Sequence, residues 1–227
     1  VLERAIRPSH DQQPRGSEVC EWLLGGGFPR QGVVVKIGIG HPPDRTHKIG
    51  YSKWMVTGPS IHTPVLAAEV LSLLDIQPGM RVVDGTLGGG GHTRLFAEAV
   101  GPEGLVIAID RDPVAIARGA EELAGKPVRF AQANFRDIPE VLDALGIDRV
   151  DRVLLDVGLS SDQLADDERG FSFDSEGPLD LRFDPTEGEP AWRMINRMRP
   201  ETLADIIKEF GEERFARRIA RRIATVR

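Results

Sequence analysis

Only one cysteine, Cys20, occurs among the 227 residues of this chain. A single thiol excludes an internal disulfide framework, which fits a reducing compartment such as the cytosol. Long apolar runs are missing too: no stretch approaches the ~20 apolar residues that a membrane-spanning helix needs. The start also lacks the basic-then-apolar order of a signal peptide. The sequence therefore predicts a cytoplasmic protein without membrane contact.

Clustered metal ligands and a hydrolytic triad are absent from the sequence as well. The histidines are scattered at no spacing that would hold a metal ion, so we predict no catalytic metal. Ser160 and Ser161 lack the strand-turn-helix context of a nucleophile elbow, which argues against Ser-His-Asp chemistry. The five histidines are His10, His41, His47, His62 and His92.

The composition is that of an ordinary globular protein, with 41% apolar and 28% charged residues. The formal net charge of −6 argues against nonspecific coating of nucleic acid. Any contact with RNA should therefore use a local basic surface. The candidate is the stretch 193–227, which carries ten Lys and Arg against five Asp and Glu.

The first 60 residues differ in texture from the rest of the chain. They are rich in Gly, Pro, His and Arg and show little periodicity apart from an apolar run at 33–39. We interpret residues 1–60 as a poorly ordered or misassigned leader, mostly loop. A weak RNA-binding tail is the alternative.

An α/β alternation begins after residue 60. A helix is predicted to start at Thr63-Pro64 and to end before Pro78-Gly79. Short apolar runs at 81–83, 105–109, 128–133 and 150–155 predict strands, and residues 93–100, 113–123 and 138–145 between them predict helices. This order is typical of a parallel sheet with right-handed crossovers.

The pattern changes after Asp156. Residues 158–190 read as a long irregular segment, which is commonly functional. Helical periodicity returns from Trp192, and arginines alternate with apolar positions at 214–222. We predict a cofactor-binding domain at 61–157 and the start of a mainly helical segment at 158–227.

The most informative segment is 81–93, RVVDGTLGGGGHT, in which an apolar strand leads through glycines into a helix. Asp84 ends this strand, Asp110 ends the next, and Asp156 ends the fourth, so three carboxylates should meet at one sheet edge. The turn does not match G-x-G-x-x-G, since His92 and Thr93 stand where the last glycine belongs. An acid at Asp84 would repel a diphosphate and suits a cationic cofactor. S-adenosylmethionine is therefore favoured over a nicotinamide cofactor.

Several assignments have alternatives that the residues themselves leave open. Phe135 after the third strand either flanks an adenine ring or packs in the core. His92 either serves the cofactor turn or only caps its helix, and Asp156 either meets a substrate amine or caps the following segment. The arginines at 214–222 either bind phosphate or form a solvated helix face paired with glutamates at 209, 212 and 213.

Six ordered blocks resemble the bacterial 16S ribosomal RNA cytosine-N4 methyltransferase family, small-subunit methyltransferase H. They are HTPVL at 62–66, DGTLGGGGH at 84–92, DRDP at 110–113, DVGLSS at 156–161, ERGFSF at 168–173 and GPLDLR at 177–182.

The resemblance implies a Rossmann-like class I fold with an inserted, mainly helical substrate-recognition domain. It implies methyl transfer from S-adenosylmethionine to the exocyclic N4 amine of a decoding-centre cytosine of 16S rRNA in the small ribosomal subunit. An enzyme that methylates DNA, protein or a small molecule is the runner-up, and a nicotinamide oxidoreductase or a noncatalytic nucleotide-binding fragment is third. The cofactor residues that carry over from the family are Gly90, Gly91, His92, Asp110, Phe135, Asp156 and Gln163.

Two departures from the family pattern carry expectations. Asp162 stands where the family has proline before the glutamine, which bears on the placement of Gln163. The family starts near His62 and continues past Arg227, so the chain is expected to be truncated at its C-terminus, with an incomplete sheet and insertion. The catalytic residue is not identified by the sequence; Asp156 is the candidate group that polarises the reacting amine, and a neighbouring backbone carbonyl is the alternative.

Overall fold

The computed structural model describes residues 17–23, 33–39 and 64–227. Its elements alternate as the sequence predicts. The strands are β1 Ser17–Leu23, β2 Val33–Ile39, β3 Arg81–Asp84, β4 Leu105–Asp110, β5 Val128–Gln132 and β6 Arg152–Val157. The helices are α1 Ala67–Leu74, α2 Gly91–Val100, α3 Pro113–Glu122, α4 Ile138–Ala144, α5 Ser161–Ala165, α6 Ala191–Arg197, α7 Pro200–Gly211 and α8 Ala216–Val226.

The six strands form one sheet in the order β1-β2-β6-β3-β4-β5. All neighbouring strands are parallel except β1 and β2, which pair antiparallel. The parallel α/β prediction is confirmed. The sequence predicts mostly loop for residues 1–60; within this stretch the structure describes two strands, β1 and β2, which pair beside β6, and the other residues of the predicted leader lie outside the described ranges.

Strands β3, β4 and β6 contribute buried side chains to both faces of the sheet, as expected where helices cover a parallel sheet. Val82, Val106 and Leu154 pack with Phe96 of α2 on one face. The other face holds a second cluster, which includes Val83, Ile107, Ile109, Val153, Ile138 and Leu142. Because β3, β4, β5 and β6 run parallel, their carboxyl ends lie at one common edge of the sheet.

Some element boundaries differ from the predicted ones. Strand β6 begins at Arg152 rather than at 150, because Val150 is buried in the core ahead of the strand. Helix α1 begins at Ala67 rather than at Pro64, since Leu66 adopts a left-handed conformation with φ of 54°.

Residues 158–227 are all described, and none of them lies in a strand. Helices α7 and α8 pack through Leu203, Ala204 and Ala220. In the parts of the chain that the structure covers, no helix has the length and apolar character needed to cross a membrane. The boundaries drawn at residues 60 and 157 stay predictions.

Candidate functional site

A cleft lies at the carboxyl ends of the parallel strands, where open α/β sheets bind their ligands. Its empty volume, which includes space open to solvent, is about 1130 Å³. Six of the seven predicted cofactor residues line it, and only Gly90 does not. The six are Gly91, His92, Asp110, Phe135, Asp156 and Gln163.

The glycine turn between β3 and α2 brings bare backbone to the cleft. A Cβ on Gly85 would lie 2.5 Å from Leu155 Cδ2 and 3.2 Å from Phe135 Cβ, so no side chain fits without movement of its neighbours. Gly90 has φ of 77° and caps α2, and its N–H donates to the Leu87 carbonyl at 2.8 Å. Gly90 therefore shapes the turn from behind, and its contact with a cofactor stays a prediction.

Asp110 is fixed at the end of β4 by two backbone donors. The Gly88 N–H donates to Oδ2 at 2.8 Å, and the Asp112 N–H donates to Oδ1 at 2.9 Å. Burial raises the pKa of the Asp110 carboxyl above its ordinary value of 3.8, although these two bonds oppose the rise. A carboxylate has about four acceptor positions, so Asp110 keeps acceptor capacity for ligand hydroxyls.

Asp84 does not line the cleft, contrary to the expectation that three strand-end acids share one site. Its side chain is fully buried and accepts from the Thr93 hydroxyl at 2.7 Å and from the Thr86 N–H at 3.1 Å. Burial raises the pKa of this carboxyl. Asp84 therefore braces the turn against α2, and two of the three acids, Asp110 and Asp156, face the cleft.

Asp156 lies beside His92 at the end of β6. The distance from His92 Nδ1 to Asp156 Oδ2 is 3.8 Å, and His92 Nε2 lies 3.1 Å from the Val65 carbonyl oxygen. Because a carbonyl oxygen only accepts, Nε2 carries a hydrogen and Nδ1 faces the carboxylate. The Asp156 N–H donates to Thr86 Oγ1 at 2.8 Å, which fixes the strand end.

Gln163 is held by its own helix as well as by α3. It forms a capping box with Ser160, in which Ser160 N–H donates to Oε1 at 3.0 Å and Gln163 N–H donates to Ser160 Oγ at 3.1 Å. Its Nε2 donates to Asp112 Oδ2 at 3.2 Å. Asp162, in place of the family's proline, pairs with Arg118 of α3. The segment is thus anchored by polar contacts.

Sequence reasoning missed three residues of the cleft and its support. Thr86 and Phe183 line the cleft, and Arg169 is buried against Asp112 with an Nη2–Oδ1 distance of 2.8 Å. The capping box had a readable signal, a serine three residues before a glutamine. The Arg169–Asp112 contact had none, because it joins positions 57 residues apart.

Helix α8 presents a basic surface. Its arginines are exposed, and among the residues the structure describes no carboxylate pairs with them within 4.0 Å, including the glutamates proposed as partners. Arg214 and Arg218 lie over the Phe215 ring at 4.5 and 4.6 Å from its centroid. We call this set the arginine face: Arg214, Arg217, Arg218, Arg221 and Arg222.

The described residues contain no group of three or more His, Cys, Asp or Glu side chains that could hold a metal ion. Two carboxylates, a glycine turn and an aromatic ring suit a ligand that has hydroxyls, a cationic centre and a flat base. The cleft residues fit S-adenosylmethionine in these respects.

Comparison with known proteins agrees with this geometry. A family model described as the MraW methylase family matches residues 59–227. The ribosomal RNA small subunit methyltransferase H of Syntrophotalea carbinolica is 49% identical over 168 residues, which is 73% of this chain and 54% of that protein. Its namesake from Geotalea uraniireducens is 51% identical over 161 residues, 70% of this chain and 52% of that protein. The chain spans about half the length of the curated relatives it matches.

Solved structures also align with part of the chain. A SAM dependent methyltransferase from Aquifex aeolicus aligns at 25% identity with a TM-score of 0.28, covering 30% of this chain and 38% of that chain.

Proposed function

Because the chain belongs to the MraW methylase family, we propose that it transfers a methyl group from S-adenosylmethionine to the N4 amine of a decoding-centre cytosine. The substrate is 16S rRNA within the small ribosomal subunit, in the cytoplasm. The relatives that it matches over about half their length are named ribosomal RNA small subunit methyltransferase H. The observation that carries the proposal is the fixed Asp110 carboxylate beside the glycine turn.

Different residues of the cleft bind different parts of the cofactor. Asp110 accepts hydrogen bonds from the ribose hydroxyls, Phe135 flanks the adenine, and the backbone around Gly91 binds the amino acid end. When bound, the cofactor supplies an activated methyl group on a positively charged sulfur. His92 and Gln163 hold the walls of this pocket through Val65 and Asp112.

The cytosine amine is a weak nucleophile because its lone pair is delocalised into the ring. Positioning and removal of the departing proton therefore carry the reaction. In this proposal Asp156 accepts that proton, and its Oδ2 lies 3.8 Å from His92 Nδ1. The target base must leave its stack to enter the cleft, which costs least in single-stranded RNA.

The arginine face supplies the RNA contact in this proposal. These arginines are exposed and have no carboxylate partner within the described ranges, so they can pair with phosphates, and they offset the overall charge of −6 locally. Phosphate contacts of this kind position the RNA without reading its sequence. The choice of cytosine then rests on the cleft.

Nucleoside mass spectrometry tests the proposal. The chain is incubated with unmodified small subunits and isotopically labelled S-adenosylmethionine, with a parallel reaction on the Asp110→Asn variant. We expect labelled N4-methylcytidine in the 16S rRNA from the native chain and a strong loss with the variant. Label in another nucleoside, in ribosomal protein or in added DNA would favour a different substrate, and binding of a reduced nicotinamide cofactor instead would overturn the methyltransferase assignment.

A further inference from the structure

The carboxylate of Asp112 joins three separate segments of the chain. Its side chain is 4% exposed. Oδ1 accepts from the Val114 N–H at 2.9 Å and from Arg169 Nη2 at 2.8 Å, and Oδ2 accepts from Gln163 Nε2 at 3.2 Å. The buried Asp112 carboxylate therefore connects the start of α3, the start of α5 and the loop after α5.

Arg169 continues this connection into the loop before α6. Its side chain is 9% exposed, and its Nη1 donates to the Phe183 carbonyl at 2.9 Å and more weakly to the Arg182 carbonyl at 3.4 Å. A buried guanidinium needs both a charge partner and acceptors for its fork of donors, and here it has them. We call this set of contacts the arginine clasp: Asp112, Arg169 and the Phe183 carbonyl.

The clasp places the Phe183 ring in the cleft wall. On its outer side the ring packs against Phe171, with centroids 5.4 Å apart. The next residue, Asp184, accepts from Gln132 Nε2 at the end of β5 at 2.9 Å. Phe183 is thus held between the start of α3 and the end of β5.

Phe183 lines the same cleft as Asp110 and Arg111, which follow β4, and as Asn134 and Phe135, which follow β5. The Gln132–Asp184 hydrogen bond ties the residue next to Phe183 to the end of β5. In the proposed function Asp110 holds the ribose and Phe135 flanks the adenine of this same cleft. Phe183 is half-buried, so one part of its ring stays available to a flat ligand.

We propose that Phe183 is a second aromatic contact for the adenine of the cofactor, and that Arg169 is the positioning residue that holds it there. The inference rests on the proposed function, since it names a residue of the same cofactor site. Stacking on an aromatic side chain suits any purine because every base has an apolar π-face. The Phe171 ring behind it limits the movement of Phe183 and lowers the cost of ordering on binding.

Titration calorimetry with S-adenosylhomocysteine and with adenosine tests the role of Phe183. We expect Phe183→Ala to lower the affinity for both ligands by the same factor, about tenfold, which is the scale of one base–aromatic contact. Phe183→Tyr should keep native affinity, and Phe173→Ala is the matched control, because Phe173 lies in the same loop, is fully exposed and does not line the cleft. Equal affinities for Phe183→Ala and the native chain, or a loss for S-adenosylhomocysteine without a loss for adenosine, would overturn the proposal.

A double-mutant cycle tests the role of Arg169. Arg169→Gln should weaken adenosine binding in the native background. In the Phe183→Ala background the same substitution should lower the adenosine affinity by less than a further twofold, because Arg169 acts through the Phe183 ring. Arg149→Gln, at an exposed arginine that pairs with Asp151, should change neither. Equal losses in both backgrounds would show that Arg169 does not act through Phe183.

Thermal melts show whether each variant is folded. The titrations are run well below the lowest melting temperature, so that a change in affinity does not reflect unfolding. If Arg169→Gln fails to fold, Phe183→Ala and Phe183→Tyr alone decide the adenine contact. Failure of the native chain to bind S-adenosylhomocysteine would refute the proposed function itself. Native binding with an unaffected Phe183→Ala variant would refute only this inference.

Discussion

Acidic residues at equivalent strand ends have different roles because their hydrogen-bond partners differ. Asp84 accepts from the Thr93 hydroxyl inside the core, and its raised pKa reflects complete burial. Asp110 accepts from the backbone N–H groups of Gly88 and Asp112 and lines the cleft. The sequence places both acids at the sheet edge, but the Thr93 partner that turns Asp84 inward became clear only in the structure.

Replacement of Asp110 by asparagine should lower the affinity for S-adenosylhomocysteine by about 10- to 100-fold, which is the range for losing hydrogen bonds to a charged group. The native chain should also lose affinity as the pH falls, because protonation removes an acceptor for the ribose hydroxyls. Burial raises the pKa of Asp110 above 3.8, so this loss begins at higher pH than for an exposed aspartate. Calorimetry between about pH 8 and 5 checks both effects. A native chain and variant with the same pH dependence would contradict this role.

Replacement of Asp156 by asparagine separates proton acceptance from cofactor binding. If Asp156 receives the amine proton, turnover at saturating cofactor should fall by about 10²- to 10⁴-fold while affinity for S-adenosylhomocysteine changes little. Single-turnover rates on small subunits and calorimetry measure the two quantities. Loss of cofactor binding as the main effect would assign Asp156 to the cofactor alone.

At the scale of elements, the sequence pattern predicts those strands and helix starts that depend on neighbouring residues in the chain. The apolar pairs in β3 and β4 and the Asp112-Pro113 start of α3 were readable as strands and a helix start. The start of α1 was not, because no local pattern indicates the left-handed conformation of Leu66 that precedes it. The clasp was equally hidden, because nothing periodic links Arg169 to Asp112.

The connection between α2 and β4 depends on a glycine. A Cβ on Gly104 would lie 2.4 Å from Val100 Cβ and 2.7 and 2.8 Å from the Val100 and Met80 carbonyl oxygens. Backbone atoms cannot move aside without disturbing the sheet, so Gly104→Ala should destabilise the fold by about 1–3 kcal/mol. Gly211→Ala is the opposite control, because nothing lies within 4 Å at the end of α7 and alanine favours helix by up to about 1 kcal/mol. Denaturant unfolding should give opposite signs, and equal shifts would contradict the packing argument.

The arginine face is an element-scale feature, since helix α8 buries Ala216 and Ala220 and exposes the arginines between them. The double variant Arg218→Glu/Arg222→Glu should lower affinity for small-subunit RNA at least tenfold at low salt and reduce the salt dependence of binding. Arg129→Glu/Arg149→Glu makes the same charge change outside α8 and should have a much smaller effect. Filter binding over a salt series measures both variants. Unchanged RNA affinity for the α8 variant would remove this surface from the proposal.

At the scale of the whole molecule, the cleft and the sheet edge are supplied by different parts of the chain. Every described residue that lines the cleft lies at or after Val65. The pairing beside β6 comes instead from β2 and then β1, far from the glycine turn in sequence. Composition alone could not predict this pairing, because a strand at 33–39 needs the β6 edge as its partner.

Removal of residues 1–40 should therefore affect stability and ligand binding differently. Loss of β1 and β2 leaves the backbone N–H and C=O groups of β6 unpaired on one side, and an open edge favours association between chains. We expect a lower melting temperature and concentration-dependent association in light scattering, with the S-adenosylhomocysteine affinity of the folded fraction within about twofold of the native value. A matched insertion of a flexible Gly-Ser segment after residue 40 keeps the pairing and should change neither property. An unchanged melting temperature in the truncated chain would show that this pairing does not stabilise the fold, whereas a lost cofactor affinity would show that the cleft depends on it.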